Sequence, residues 1–334
     1  MRRLFIMALA AAVAALAGCG GGSGGGQPIG NVPAKGGLRD QVAAAADPVK
    51  TDFPATQGRT LQAVADSVTG GVEAGLAGSV FTVGRNRLAF GVIDSGGKFV
   101  YGKTAVYVAP SPDAKARGPY PAPADVLVTD PPYRSKQAAT DTSLFAAVYG
   151  AQVPFTKPGP WSVLVVTHSG GGVVGAPTQV KVIAKGADKI PEVGDAAPKV
   201  QTDTVASAKG DESAIDTRVP PAAELHRKSF ADVVGTKPVA LLFATPQLCQ
   251  SRVCGPVTDI ELQLKQKYGD RMDFIHQEVY VSNDPSKGLR QPLRAFGLRS
   301  EPWLFVVGRD GRITARLEGS FGIKTFEQAI QTAL

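Results

Sequence analysis

With 334 residues, 43% of them hydrophobic, the chain has room for two ordinary domains with real cores, and its 39 Gly and 25 Pro add turns and at least one flexible segment. The net charge of +7 is modest and falls by two if Arg2 and Arg3 are removed with a leader. No Lys/Arg cluster with interleaved aromatics accompanies it, which argues against a nucleic-acid partner and leaves only weak attraction to an anionic membrane surface.

Residues 1–18 read as a signal segment. Arg2 and Arg3 form its positive end, and the apolar run 4–16 is too short to span a bilayer comfortably. It ends in Leu16-Ala17-Gly18-Cys19, which resembles the bacterial lipobox. That resemblance implies that Cys19 is lipidated, becomes the first residue of the mature chain and anchors it at the extracytoplasmic face of the cell membrane. Two or more acyl chains give stable anchoring. Residues 19–59 begin with a near-continuous glycine run and show no apolar periodicity, so they are expected to form a flexible tether. About forty flexible residues reach roughly 35 Å.

Residues 60–185 carry a β pattern. Strands are expected over 79–83, 87–94, 99–108, 144–155, 161–167 and 178–184, with a turn at 94–98. The stretches 110–125 and 129–139 are Pro-rich or polar and read as connections. Six or seven strands in this length imply an all-β antiparallel sandwich, immunoglobulin-like in the broad sense. Phe90, Tyr107, Phe145 and Trp161 are its expected core, and a spacer or protein-binding module is the default role. His168 stands at a loop start, where a histidine is ordinarily solvated.

Residues 186–222 read as a linker together with an N-terminal extension of the domain that follows. From 223 to 334 the pattern becomes α/β: a short helix over 223–234, an apolar strand over 239–243, a helix over 257–268, a strand over 273–281, a helix over 289–296, a hairpin from 302–308 and 313–317, and a closing helix over 325–334. This is a β-α-β-α-β-β-α order with one right-handed crossover.

Once Cys19 is assigned, one pair remains: Cys249 and Cys254. They fall where the apolar strand hands over to a helix. Helix N-termini stabilise anions, and a thiolate is an anion. Residues five apart in an ideal helix are too distant for a disulfide, so bridging requires Cys249 in a bent loop with the regular helix starting near Pro256. Arg252 should lower a thiol pKa and Glu301 should raise it. A loop this short stabilises little as a staple, which favours chemistry over structure.

Residues 193–334 resemble the thioredoxin-like superfamily, nearest its redoxin and TlpA-like branch. The likeness is carried by Val193-Gly194-Asp195-Ala196-Ala197-Pro198, by Phe243-Ala244-Thr245-Pro246 before the cysteines, and by Glu301-Pro302-Trp303-Leu304-Phe305-Val306-Val307. It implies that Pro302 is the cis-proline beside the active-site sulfurs, and that Cys249 and Cys254 form a redox disulfide exchanging with extracytoplasmic protein thiols and disulfides. The Cys-x4-Cys spacing departs from the family's Cys-x-x-Cys. Similarity to Sco-like proteins implies an alternative, copper bound by Cys249, Cys254 and His276, although His276 inside a strand also reads as a structural histidine. His226 has no evident role. A non-catalytic binding or scaffold lipoprotein with a structural disulfide is the third reading.

Overall fold

The computed structural model describes residues 27–136, 138, 145–249 and 253–334. The signal segment, Cys19 and Arg252 lie outside the described residues. The expected tether ends sooner than its composition implied. Residues 27–59 pack on the sandwich through helix α1 (Leu38–Ala44) and its flanks, and Val32, Val42 and Ala45 are fully buried. The Gln27 amide donates to Ala124 O (2.7 Å) and accepts from Val126 N–H (2.9 Å), and Ala124 N–H bonds to Ala45 O (2.9 Å). Small side chains such as Ala45 bury fully without leaving a strong apolar period in the sequence.

Nine strands follow: β1 (Val72–Leu76), β2 (Phe81–Thr82), β3 (Gly84–Asp94), β4 (Thr104–Ala109), β5 (Arg117–Pro121), β6 (Ala124–Val126), β7 (Ala147–Phe155), β8 (Gly159–Ser169) and β9 (Gly172–Ile183). They form a four-stranded sheet ordered β1-β3-β7-β6 and a five-stranded sheet ordered β2-β9-β8-β4-β5. One apolar cluster joins them, with Phe90, Val92, Tyr149 and Val153 from the first sheet and Val106, Val108, Trp161 and Val180 from the second. The sandwich is not wholly antiparallel, because β2 pairs parallel with β9. Strands β5 and β6 lie within the stretch expected to be a connection.

Of the expected core, Phe90 and Trp161 lie between the sheets. Tyr107 points the other way, as period-2 alternation against Val106 and Val108 requires. It packs with helix α2 (Leu61–Ala65) and Phe53, and its hydroxyl donates to Pro54 O (2.6 Å). Phe145 lies half-buried against Phe99. His168 ends β8 with Nε2 2.8 Å from Asp52 O, against the Phe53 ring, so it is partnered and not merely solvated.

The second half has the expected order: β10 (Val239–Phe243), α4 (Cys254–Tyr268), β11 (Asp273–Gln277), α5 (Gln291–Ala295), β12 (Trp303–Val307), β13 (Ile313–Glu318) and α6 (Ile323–Gln331), preceded by α3 (Phe230–Val233). Strand order is β11-β10-β12-β13, with β10 and β11 parallel and the other pairings antiparallel. Both faces of the sheet are covered. Ala240, Leu242, Phe274, Leu304 and Val306 meet α4 and α6. Leu241, Phe243, Ile275, Phe305 and Val307 meet α3 and α5 through Phe230 and Phe296. Residues 186–222 pack onto this half. Ile190 and Val200 join this second core, Gly194 N–H bonds to Ile313 O, and Asp216 and Arg218 are buried.

Candidate functional site

Strand β10 is buried throughout and ends at Phe243. The chain then turns, with Cys249 N–H donating to Thr245 O (3.2 Å), and α4 begins at Cys254. The helix starts two residues before Pro256, which takes the third position of the first turn, where a proline is tolerated. Among the described residues no side chain caps this N-terminus. The bend brings Cys249 within hydrogen-bond reach of Cys254, both as thiols. Cys249 is 7% exposed and Cys254 is fully buried.

The electrostatics differ from the sequence expectation that the helix start would lower the thiol pKa. Burial pushes the Cys254 thiol well up, and Cys249 and Glu301 push the same way, against a hydrogen bond to the Thr245 backbone. Glu301 is half-buried and turned to the pair rather than to solvent. Burial raises its carboxyl, then the charges of Cys249 and Glu278, while a Tyr280 hydrogen bond lowers it. Tyr280, which sequence reasoning missed, is raised by burial and then by Glu301 and both cysteines. The Glu301-Pro302 peptide is cis. Cys249, Cys254 and the segment leading into Pro302 are therefore brought together.

His276 is not brought to them. Among the described residues, its Nε2 lies 2.9 Å from Ala244 O, and its Nδ1 faces His226 Nε2 (3.2 Å) and Asp216 Oδ1 (3.7 Å). The copper set of Cys249, Cys254 and His276 is not assembled, because this histidine belongs to a separate cluster of Asp216, His226 and His276 under the α4 face of the sheet. Asp216 also accepts from Arg218 N–H (2.8 Å) and Ala222 N–H (2.7 Å). Burial opposes its ionisation, but the two histidines win and hold the Asp216 carboxyl below the usual range. Burial likewise opposes a charge on His276, and Asp216 outweighs it, raising the imidazolium pKa to about 9. Glu261 on α4 is fully buried with both oxygens unpartnered among the described residues, and burial pushes its pKa up to about 8. The sequence signal for this cluster was slight: His226 and His276 are two of only three histidines.

No family model matches the chain, and no curated protein matches it. Among solved structures, a chain described as the thiol:disulfide interchange protein DsbE of Chlorobium tepidum aligns at 17% identity, over 43% of this chain and 98% of its own, with a TM-score of 0.31. A thiol:disulfide interchange protein of the thioredoxin family from Chlorobium tepidum TLS aligns at 16% identity, over 42% of this chain and 97% of its own, with a TM-score of 0.28. An endo-beta-1,4-mannanase of Thermotoga petrophila aligns at 14% identity, over 34% of this chain and 20% of its own, with a TM-score of 0.20. Strand order and register, not these alignments, define the fold.

Proposed function

We propose that the chain is a membrane-anchored extracytoplasmic lipoprotein whose thioredoxin-like half exchanges disulfides with protein thiols, in the reducing direction, and whose immunoglobulin-like sandwich is a spacer or binding module. The observation that carries this is the Cys249–Cys254 pair, two thiols within hydrogen-bond reach where a buried strand turns into a helix. Cys249 is the more exposed, so it is the attacking sulfur. Its thiolate attacks a substrate disulfide and displaces one substrate thiolate, forming a mixed disulfide. Cys254 then gives up its proton and attacks Cys249 Sγ, releasing the second substrate thiol. Two electrons pass to the substrate, and a dithiol donor restores the pair.

The direction follows from the surroundings. Strong oxidants of this chemistry have a stabilised reduced form. Here burial and Glu301 work against the Cys254 thiolate, so the reduced form is not stabilised in that way. Redox titration of the full chain, read by alkylation and mass spectrometry, tests the proposal. Both thiols should titrate together as one two-electron couple between about −200 and −300 mV. Failure to form a disulfide at any poise ends the exchange reading. A bridge that survives below about −300 mV makes the disulfide structural, and normal cellular function of a Cys249→Ser/Cys254→Ser chain favours a scaffold.

Anchoring rests on the lipobox residues. Cys19→Ser should abolish lipid attachment and move the protein from the membrane fraction to uncleaved precursor or soluble product. Processing and membrane fractionation like the unaltered chain would overturn it.

A further inference from the structure

On the α4 face of the sheet, ligand atoms of three buried side chains converge: one each from Asp216, His226 and His276, all within 4.8 Å of one another. His276 Nδ1 and His226 Nε2 are 3.2 Å apart, His226 Nε2 lies 3.5 Å from Asp216 Oδ2, and His276 Nδ1 lies 3.7 Å from the other carboxylate oxygen, Oδ1. Atoms bound to one tetrahedral ion at 2.0–2.1 Å stand about 3.3–3.4 Å from each other. The His276–His226 and His226–Asp216 separations bracket that value.

The tautomers sharpen the point. His276 Nε2 lies 2.9 Å from Ala244 O, and His226 Nδ1 lies 3.4 Å from Asp203 O. A carbonyl only accepts, so each of these outer nitrogens carries the hydrogen. In the neutral rings the two inner nitrogens then turn lone pairs toward each other beside a carboxylate. Such an arrangement demands a cation between them, either a shared proton or a metal ion. A backbone carbonyl behind each imidazole is also the usual outer support of a metal-bound histidine.

Glu261 is a second, independent observation at this cluster. It is fully buried, and neither of its oxygens has a partner among the described residues. A proton shared by the histidines satisfies them but gives Glu261 no partner, and an unpartnered buried polar group is costly. A metal ion would use both the converging histidine nitrogens and a Glu261 oxygen. The neighbours of Glu261 are already satisfied: Glu278 accepts from Thr217 and Val279, and Asp259 from Arg218 and Ser135.

We propose that Asp216, His226 and His276, with the unpartnered Glu261 available as a fourth ligand, form a buried site for one first-row divalent metal ion of the zinc class. Two imidazoles and two carboxylates suit zinc-class ions better than the all-oxygen shells of calcium or magnesium. With every donor residue buried, the site is closed, which is the form of a structural ion. It joins three separate pieces of chain: the 216–226 segment, β11 and α4. Cys254 and Glu261 stand two turns apart on α4, so the ion would also fix the helix that carries the inner thiol. The site is independent of thiol exchange.

The test uses the full, untagged chain carrying Cys249→Ser and Cys254→Ser, which removes the thiols as competing ligands. Purified without chelator, it should hold one zinc-class ion per chain by elemental mass spectrometry. Replacement with Co²⁺ should give the visible absorption of a tetrahedral nitrogen and oxygen site, without the intense near-ultraviolet band of a thiolate ligand. His276→Gln and Asp216→Asn should weaken Zn²⁺ binding by at least the ~10–100-fold that even an outer-shell partner is worth. The cobalt spectrum keeps the proposal testable if those variants fail to fold. Absence of metal in the purified chain, together with no rise in melting temperature on adding Zn²⁺, would overturn it in favour of a shared proton. So would unchanged Zn²⁺ affinity in folded His276→Gln.

Discussion

After burial and the partner sulfur, Glu301 is a further group that holds the Cys254 thiol protonated. A carboxylate beside a cysteine opposes thiolate formation, and here it adds to the burial that already raises Cys254. The thiol is therefore mostly protonated near neutral pH, and its alkylation rate should climb with pH through and beyond the ordinary cysteine range. Glu301→Gln keeps the shape and the Tyr280 contact but removes the charge. The alkylation midpoint of the reduced pair should then move to lower pH. The rate at a fixed neutral pH should rise. Peptide-resolved mass spectrometry over a pH series reads both numbers. A midpoint that does not move would mean that the Glu301 charge is not felt at the pair. The sequence showed the adjacency of Glu301 to Pro302, but not its hydrogen bond with Tyr280, which comes from beyond the end of another strand.

At the scale of elements, legibility followed the strength of the local pattern. The runs 239–243 and 303–307 are apolar at every position, and both are buried strands. Their order with the intervening helices was enough to place the cysteines at the end of β10 and the start of α4. Strands without such a run were missed. β1 alternates half-buried and exposed positions with Glu73 and Gly75 in it, β5 contains Gly118, Pro119 and Pro121, and β6 is three residues long. The buried charges of 186–222 were hidden for a related reason. Asp216 and Arg218 look solvated in the sequence, yet each is buried by a partner far along the chain: His276 for the first, Asp259 for the second. Charge pairing at that separation leaves no periodic trace. The same holds for α6, whose N-terminal turn is capped from the sandwich. Asp125 of β6 accepts the N–H groups of Gly322 (3.1 Å), Lys324 (3.1 Å) and Thr325 (2.9 Å), a role ordinarily filled by the residue just before a helix.

The whole molecule is held together at this boundary, and the boundary reaches the site. Glu318 at the end of β13 accepts from Ser79 N–H (3.0 Å), the Ser79 hydroxyl (2.7 Å) and Val80 N–H (2.8 Å), all on the sandwich side. The same carboxylate accepts from the Ser300 hydroxyl (2.9 Å), one residue before Glu301. Arg87 of β3 donates to Ser320 O (2.8 Å), and Ala89 and Val148 of the sandwich share an apolar cluster with Phe321 and Phe326. The two halves approach closely at Gly319. A Cβ there would lie 1.4 Å from Ala77 O and 2.5 Å from Ala77 C, and its φ of +73° is already unfavourable for any other residue. Gly319→Ala must therefore move one backbone away from the other. Gly235→Ala is the control, since Gly235 has a φ of +82° but open space around its missing Cβ. The control should lose about 1–2 kcal/mol from backbone conformation alone. Gly319→Ala should lose more than ~4 kcal/mol, the range reserved for a named disruption. Its urea unfolding should also separate into two steps as the halves uncouple, where the unaltered chain unfolds in one. Because Glu318 links Ser79 to Ser300, the released loop should also change the alkylation rate of Cys249 and Cys254, and Gly235→Ala should leave that rate alone. Equal losses in the two variants, with one transition each and matching alkylation, would mean that the halves do not meet at Gly319.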